Sequence, residues 1–289
     1  MAESQQSAVS SQQSFNSITS TQNSSLLLSV YMITYNNGRT IEKALRSIAG
    51  WAEEVIVVDS HSTDETPEII RKYSDRFYQY DTTSQRDKYQ YAQDLCKNSW
   101  VLFIDADEWL TQEIKNEIED IVLKEARYAG FIVNRQNIYL GREIKYGGWY
   151  PDHEIRLYRK EKGQWEGGIH AKIHVDGEVG TLKNAYMHTP YMDTAHQIRT
   201  IDRYSGAYAD DLHSSGRRFH LINMLARPIF RFFRDYIFKK GFLDGIPGLI
   251  IVASTMYYVF MKQAKLWEME RNSKKQAAGS KGQGVSSVS

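Results

Sequence analysis

The chain has a single cysteine, Cys96, in 289 residues. That excludes an internal disulfide framework and fits a reducing compartment. A lone thiol on a predicted helix reads as a small buried residue rather than a nucleophile. Neither sign of charge is in excess, with 36 Lys and Arg against 35 Asp and Glu. No global field therefore favours nucleic acid as a partner. No Lys or Arg precedes Arg39. A secretory signal needs a basic start before an apolar core and a transit peptide needs arginines, so neither is expected. Residues 1–25 are mostly Ser, Gln, Thr and Asn and read as a disordered polar tail. No repeat of fixed period is visible.

Between the tails, apolar runs alternate with helical spacings. Leu26 to Thr34 and Glu54 to Asp59 read as buried strands, and Phe77 to Tyr80 as a short third. Ile41, Ala44, Leu45 and Ile48 fall at helical spacing. Thr66-Pro67 looks like a cap followed by proline in the first turn, and Arg86 to Cys96 and Ile114 to Val122 read as further helices. This alternation predicts an α/β fold, a mostly parallel sheet flanked by helices. From about Ala129 the pattern becomes short β-like pieces (GFIVNR, IRLYR, AKIHV) separated by Gly-rich turns. These predict an antiparallel addition covering one sheet edge.

The sharpest local feature is WVLFIDADE, Trp100 to Glu108. An apolar strand ends in two carboxylates spaced i, i+2, which places Asp105 and Asp107 on one side of an extended chain. Paired carboxylates at the C-terminal edge of a sheet suit an oxygen-liganded cation, at the place where open α/β sheets bind ligands. Glu108 reads as a supporting or helix-start residue. Asp64 is either a helix-opening cap or a ligand contact.

Beyond about His196 the chain reads as helical and amphipathic. Gly216 to Lys275 carries 12 Lys and Arg against 4 Asp and Glu. Ile222, Leu225, Ile229, Phe232, Phe233 and Tyr236 share one helical face. The apolar run Gly245 to Phe260 has 16 residues and includes a proline, whereas a spanning helix needs about 20 apolar residues. The expectation is therefore attachment at a membrane surface, with basic side chains at anionic head groups, and packing on the catalytic domain as the alternative.

Taken in order, TYNN after the first strand, VVDSHSTDET, SQR, FIDADE and WYPDHEIRLYR resemble the family 2 glycosyltransferases of the A-type fold. The branch most similar is that of lipopolysaccharide core β-1,4-glucosyltransferases. The resemblance runs from about Leu28 to Glu268 and includes GFLDGIPGL. It implies a GT-A-type nucleotide-binding catalytic domain over 26–195, beside the amphipathic, membrane-associating helical region read over 196–271 and a polar, disordered tail read over 272–289. It implies nucleotide-sugar contacts from Thr34, Tyr35, Asn36, Asp59 and Arg86, the last as one half of the Gln85-Arg86 pair. The family often has Asn-Glu where this chain has Asn36-Asn37, so Asn37 is given no role. Asp105 is implied near the ribose or the metal, and Asp107 as a ligand of Mg²⁺ or Mn²⁺. Magnesium takes one or two protein carboxylates and fills its octahedron with substrate phosphate and water.

Inversion at the anomeric carbon requires a carboxylate to activate the incoming hydroxyl. Asp152 is the first candidate and Glu154 the second; ion pairing with Arg156 or Arg159 is the competing role. Among His170, His174 and His188, the last is expected as an additional metal or diphosphate ligand. The chain has His170-Ala171 where the family often shows His-Glu, which removes a carboxylate there. Trp149, Tyr150 and Trp165 are either sugar-stacking or buried aromatics.

The resulting expectation is an inverting, metal-dependent hexosyltransferase. It would use a UDP-sugar, with glucose as the expected sugar, and a lipid-linked or lipopolysaccharide-core acceptor. It would be cytoplasmic and peripheral on the inner face of the cell membrane. A non-catalytic scaffold that retains the fold is the alternative. A sugar-nucleotide pyrophosphorylase ranks lower, because TYNNGRTIEK after the first strand has one glycine where a phosphate loop needs several.

Overall fold

The structure, a computed structural model, describes residues 26–124, 127–168 and 171–283. The expected N-terminal tail and His170 lie outside the described residues. Strands β1 (Leu26–Thr34), β2 (Ala52–Asp59), β3 (Arg76–Gln79) and β4 (Trp100–Phe103) are parallel neighbours in the order β3-β2-β1-β4. The connections carry α1 (Ile41–Ile48), α2 (Thr66–Ile70) and α3 (Gln85–Asp94). After β1 the chain steps outward to β2 and β3, then returns to lay β4 on the other side of β1. That reversal opens a crevice at the carboxyl ends of β1 and β4.

Alternation along β1 sets the two faces of the core. Leu28, Val30 and Met32 pack with Ile41, Leu45 and Ile48 of α1 and with Ile114 and Ile118 of α4 (Gln112–Leu123). Tyr31 faces the other way, among Ile56, Val58, Phe103 and Cys96. The Tyr31 hydroxyl meets that of Tyr158 and accepts from the Trp165 indole N–H at 2.9 Å. Both faces of the strand are thus dry, as a parallel sheet requires. Cys96 is buried, and burial pushes its thiol pKa up to about 12, as a structural residue would be.

The second half adds antiparallel strands at the β4 edge, as the sequence pattern suggests, and then returns to parallel pairing. It extends the same sheet through β6 (Gly130–Tyr139), β7 (Arg142–Glu143), β8 (His153–Arg159) and β11 (Val179–His188), with the two-residue β5 (Glu108–Trp109) at the end. Strand β8 runs antiparallel against β4, and β6 antiparallel against β8. Two reversals restore the original direction, so β11 pairs parallel with β6. Only β9 (Gly163–Glu166) and β10 (Lys172–Val175) form a separate hairpin.

The C-terminal region contains α5 (Thr194–Ser214), α6 (Leu221–Phe232) and α7 (Gly245–Gln283). Helix α5 opens on Asp193, whose carboxylate accepts from the His196 amide at 2.6 Å. Helix α7 corrects one expectation: it continues past the apolar run and through the positions read as a tail from Asn272, as far as Gln283. Pro247 falls in its first turn, where the missing N–H has no partner to lose. Gly248 is required there, because a Cβ would collide with the Gly241 carbonyl. The helical stretch Gly241–Lys275, which joins the turn before α7 to most of α7, is long and apolar enough to cross a membrane, by length and composition alone. Ile251 packs with Tyr139 and Ile144, and Leu266 with Ala209 and Leu212.

Asp244, just before α7, ties this region to the sheet. Its buried carboxylate accepts from the amides of Lys145 and Tyr146, at 3.2 and 2.9 Å. Asp244→Ala leaves those amides without an acceptor and is expected to destabilise the chain by about 1–3 kcal/mol. Urea unfolding followed by tryptophan fluorescence checks this; an unchanged midpoint would show that the tie contributes nothing.

Candidate active site

The crevice at the carboxyl ends of β1 and β4 holds an open cavity of about 430 Å³. Thr34, Tyr35, Asp105, Asp107 and His188 line it, all expected from the sequence. Asn37, Gln85, Lys88, Tyr89, Arg203 and Tyr204 line it as well.

Asp105 and Asp107 reach the cavity by a different route from the one expected. Strand β4 ends at Phe103, so strand alternation does not align them. A tight turn does, closed by the Glu108 amide donating to the Asp105 carbonyl at 3.1 Å. The turn then enters β5, whose Glu108 pairs with His188 of β11. This pairing carries His188 to Asp107: Nε2 lies 3.5 Å from the carboxylate Oδ2. The sequence reading contained no β5, since two residues give no period.

The histidine is held in one tautomer. Asn137 donates through Nδ2 to the Trp149 carbonyl at 2.8 Å, which turns its Oδ1 toward His188 Nδ1 at 2.6 Å. Nδ1 therefore carries a hydrogen, and Nε2 is the nitrogen that faces Asp107: protonated, it donates toward that carboxylate, and deprotonated, it offers a lone pair to a cation. An imidazole fixed by an outer hydrogen bond and facing a carboxylate fits a divalent cation. Among the described residues no three His, Cys, Asp or Glu side chains gather closely enough to enclose a metal. The donor set accordingly fits a cation that takes its remaining ligands from phosphate and water.

The two aspartates have opposite electrostatics. Burial, with Glu108 and Asp107 nearby, pushes the Asp105 carboxyl up to about 6 against the pull of Arg156. Burial also opposes the charge on Asp107, but the His188 ring outweighs it and holds Asp107 below the usual carboxylate range. Asp107 is thus the group maintained as an anion.

Behind the cavity runs a chain of alternating charge. Arg156 donates to Asp105 at 3.0 Å and to Glu108 at 2.8 Å. Arg135 reaches Glu108 at 3.4 Å and Asp152 at 2.7 Å. Arg156 projects from a bulge: Leu157 pairs with Phe131 and Ile155 with Ile132, leaving Arg156 as the extra residue. Its guanidinium sits 4.6 Å over the Phe103 ring. Asp152, the first candidate base, is linked to Asp105 through this network, although it does not line the cavity. Its ion-pair partner is Arg135, neither of the arginines considered from sequence. Glu154 makes no ion pair among the described residues.

Other expected contacts are placed elsewhere. Asp59 is fully buried and accepts from the amide and hydroxyl of Ser62; Ser60, its neighbour, lines the cavity. Asn36, at φ 52°, adopts the left-handed conformation that asparagine tolerates. It latches the first loop to the second through Ser62 and Thr63, at 2.8 and 2.9 Å. Asp64 caps the turn into α2 and takes the Gly38 amide at 3.0 Å. Arg86 is exposed and pairs with its neighbour Asp87 at 2.7 Å. Lys88, two residues on, faces the cavity instead. Burial lowers its pKa, opposed by Asp59 and Asp81. Asn37 also lines the site, accepting from the Thr34 hydroxyl at 2.9 Å. Trp165 is buried against Tyr89, with ring centroids 4.1 Å apart, which leaves no face for a sugar. His174 is exposed on β10.

Lys88 and the SQR segment were within reach of the sequence, since the first turn of a helix after a strand end faces a crevice. Arg203 and Tyr204 carried no such signal, because only the folding of α5 onto the sheet brings them to the cavity.

The sequence profile described as Glycosyl transferase family 2 matches residues 29–175, just over half of the chain. An uncharacterized glycosyltransferase of Rickettsia bellii is 28% identical over 263 residues, covering 84% of this chain and 86% of the relative. The lipopolysaccharide core biosynthesis glycosyltransferase LpsC of Rhizobium meliloti is 26% identical over 256 residues, covering 84% and 93%. Two solved structures are similar in outline. Staphylococcus aureus TarS 1–349 with UDP-GlcNAc has a TM-score of 0.44 at 16% identity, with 86% of this chain and 92% of that one covered. The mannosyltransferase PcManGT of Pyrobaculum calidifontis, with GDP-Man and Mn²⁺, has a TM-score of 0.46 at 13% identity, with 83% and 86% covered. At such scores nothing about donor or metal passes to this chain. The match over residues 29–175, which include the crevice edged by Asp105 and Asp107, makes this chain a member of glycosyl transferase family 2.

Proposed function

We propose that this protein is an inverting hexosyltransferase. It moves a hexose, glucose as first choice, from a UDP-sugar to a lipid-linked or lipopolysaccharide-core acceptor, with Mg²⁺ or Mn²⁺ held by Asp107 and His188. The observation that carries this reading is the approach of His188 Nε2 to Asp107 at 3.5 Å on the wall of the crevice cavity. A divalent cation bound there would stabilise charge on the departing diphosphate.

The chain's own residues divide the remaining work. Lys88 and Arg203 supply cationic donors to the diphosphate from opposite elements. Thr34, Tyr35 and Asn37 edge the nucleoside end, and Asp59 acts by fixing the loop through Ser62. Asp105, held by Arg156, accepts from a ribose hydroxyl. Arg135 orients Asp152 to take the proton of the acceptor hydroxyl. The acceptor oxygen bonds to the anomeric carbon as that carbon's bond to the diphosphate oxygen breaks, and UDP leaves. The likeness to LpsC, whose name places it in lipopolysaccharide core biosynthesis, supports that acceptor class.

Attachment to the inner face of the membrane is the second part of the proposal. Leu221, Ile222, Leu225, Ile229, Phe230 and Phe233 are all exposed on α6 and the turn after it. Apolar surface on this scale, interspersed with arginine, fits an interfacial helix.

Four measurements test these assignments. Asp152→Asn is expected to keep UDP-glucose affinity while turnover, read as UDP release, falls about 10²–10⁴-fold. Normal turnover with loss in Glu154→Gln would move the base to Glu154. Chelation should abolish UDP release and Mn²⁺ or Mg²⁺ restore it, whereas a scaffold shows no release under any condition. Asn137→Ala is expected to weaken Mn²⁺ affinity about 10–100-fold by freeing the His188 ring. For the membrane, Ile222→Glu with Leu225→Glu and Ile229→Glu should abolish co-sedimentation with phosphatidylglycerol vesicles; equal sedimentation of both proteins would refute attachment through α6.

A further inference from the structure

Two further cavities follow in sequence along α5, the first beside the catalytic one and the second beside the first. The first, about 240 Å³, is lined by Trp149, Tyr191, Tyr204 and Tyr258, with Gln197 and Thr255 among its polar groups. Tyr204 also walls the catalytic cavity. The second, about 450 Å³, lies between α5, α6 and α7 and shares Arg231 with the first. Tyr204, Tyr208 and Leu212 mark the path on one face of α5, at steps of four residues. Eight residues of helix span about 12 Å.

The larger cavity is strongly basic. Six cationic side chains line it: Arg217, Arg218, Arg227, Arg231, Arg234 and Lys262. Asp235 is the carboxylate that meets them, buried and shared between Arg231 at 2.6 Å and Arg234 at 2.7 Å. Among the described residues Arg217, Arg218, Arg227 and Lys262 form no ion pair. Surface arginines ordinarily spread into solvent, each alone. Here they converge on one concave site around an ammonium that is itself partly buried. Lys262 lies 3.9 Å from the Tyr208 ring centre and 4.6 Å from that of Tyr258. Burial, then Arg231 and Arg227, lower its pKa. The chain leaves α6 through a π-helical turn, Phe233–Phe238, that sets Arg234 and Asp235 at the cavity wall. Such turns recur at functional sites.

We propose that this basic cavity binds a phosphate ester carried by the acceptor glycan, with the aromatic cavity holding the sugar between it and the reaction centre. The guanidinium fork matches a phosphate dianion, taking two oxygens at once. The neighbouring cavity offers what a sugar ring requires, aromatic faces for its C–H surfaces and a few amide and hydroxyl groups for its own hydroxyls. The separation places the phosphate about 12 Å of helix from the wall of the catalytic cavity, so the charge identifies the acceptor without entering the chemistry. This assignment rests on the transfer reading above and makes its acceptor specifically anionic.

Calorimetric titration of the full chain provides the test, with trehalose 6-phosphate, trehalose and inorganic phosphate as probes. The phosphorylated disaccharide is expected to bind at least about tenfold more tightly than either of the others, a difference of about 1.4 kcal/mol. Arg218 and Arg227 are exposed, so Arg218→Gln with Arg227→Gln should fold normally, bind UDP-glucose as before and lose that preference. Tyr258→Ala should weaken trehalose 6-phosphate but not inorganic phosphate. Equal binding of the phosphorylated and plain disaccharides, or an unchanged preference in the double variant, overturns the proposal. So does an effect of the double variant on phosphatidylglycerol vesicles alone, which would make the arginines a membrane contact. Loss of UDP-glucose binding by the unmodified chain would instead count against the transferase reading and leave this site standing.

Discussion

Glu108 lies buried between two guanidiniums, Arg156 at 2.8 Å and Arg135 at 3.4 Å, and accepts the Asp105 amide at 3.0 Å. Each neighbour carries a different part of the candidate site. Arg156 holds the Asp105 carboxylate, Arg135 holds Asp152, and the Asp105 amide fixes the turn that presents Asp107. Removing one member of a buried charge set of this kind costs about 3–5 kcal/mol, because the remaining charges lose their compensation. The site is therefore one electrostatic unit spread over the turn after β4, over β5 and β6, and over β8 with the residue before it. Its rigidity follows from charges that are only tolerable together.

That unit forms because the sheet reverses its strand order beside β1. The crevice there receives loop residues from β1 and β2, the acidic turn after β4 and the end of β11. Two small devices aim the side chains. The bulge on β8 directs Arg156 inward, and the two-residue β5 brings Glu108 opposite His188. Without β5, Asp107 would face the cavity alone. With it, the carboxylate meets an imidazole whose other nitrogen is already engaged by Asn137.

The C-terminal helices do more than present an apolar surface. Helix α5 closes one side of the candidate-site cavity with Arg203 and Tyr204, then continues past an aromatic chamber to a basic one. The order of chemistries along the helix follows that of a charged saccharide: reacting hydroxyl, ring faces, anionic substituent. The buried Asp244 fixes this arrangement relative to the sheet through two loop amides.

The sequence determined the alternating α/β half, its parallel sheet, the buried role of Cys96 and the position of the acidic turn. Those features rest on apolar periodicity and chain-local patterns, which a linear reading captures. It also put His188 and Asp107 in one chemical class, but not at 3.5 Å from each other. It anticipated the antiparallel addition of β8 and β6 at the sheet edge but not the parallel return of β11 or its pairing with β5, because strand direction there depends on which edge is left open and not on composition. Arg86 and Asp59 fitted the motif pattern, yet packing turned the first outward to Asp87 and the second inward to Ser62. Length limited the prediction of α7: a 16-residue apolar run looked short only because the polar helix continuing from it has no apolar signature. The convergence of Arg156, Arg135, Arg203 and Tyr204 belonged to tertiary structure alone, since side chains distant in sequence become neighbours only when strand order and helix packing bring their backbones together.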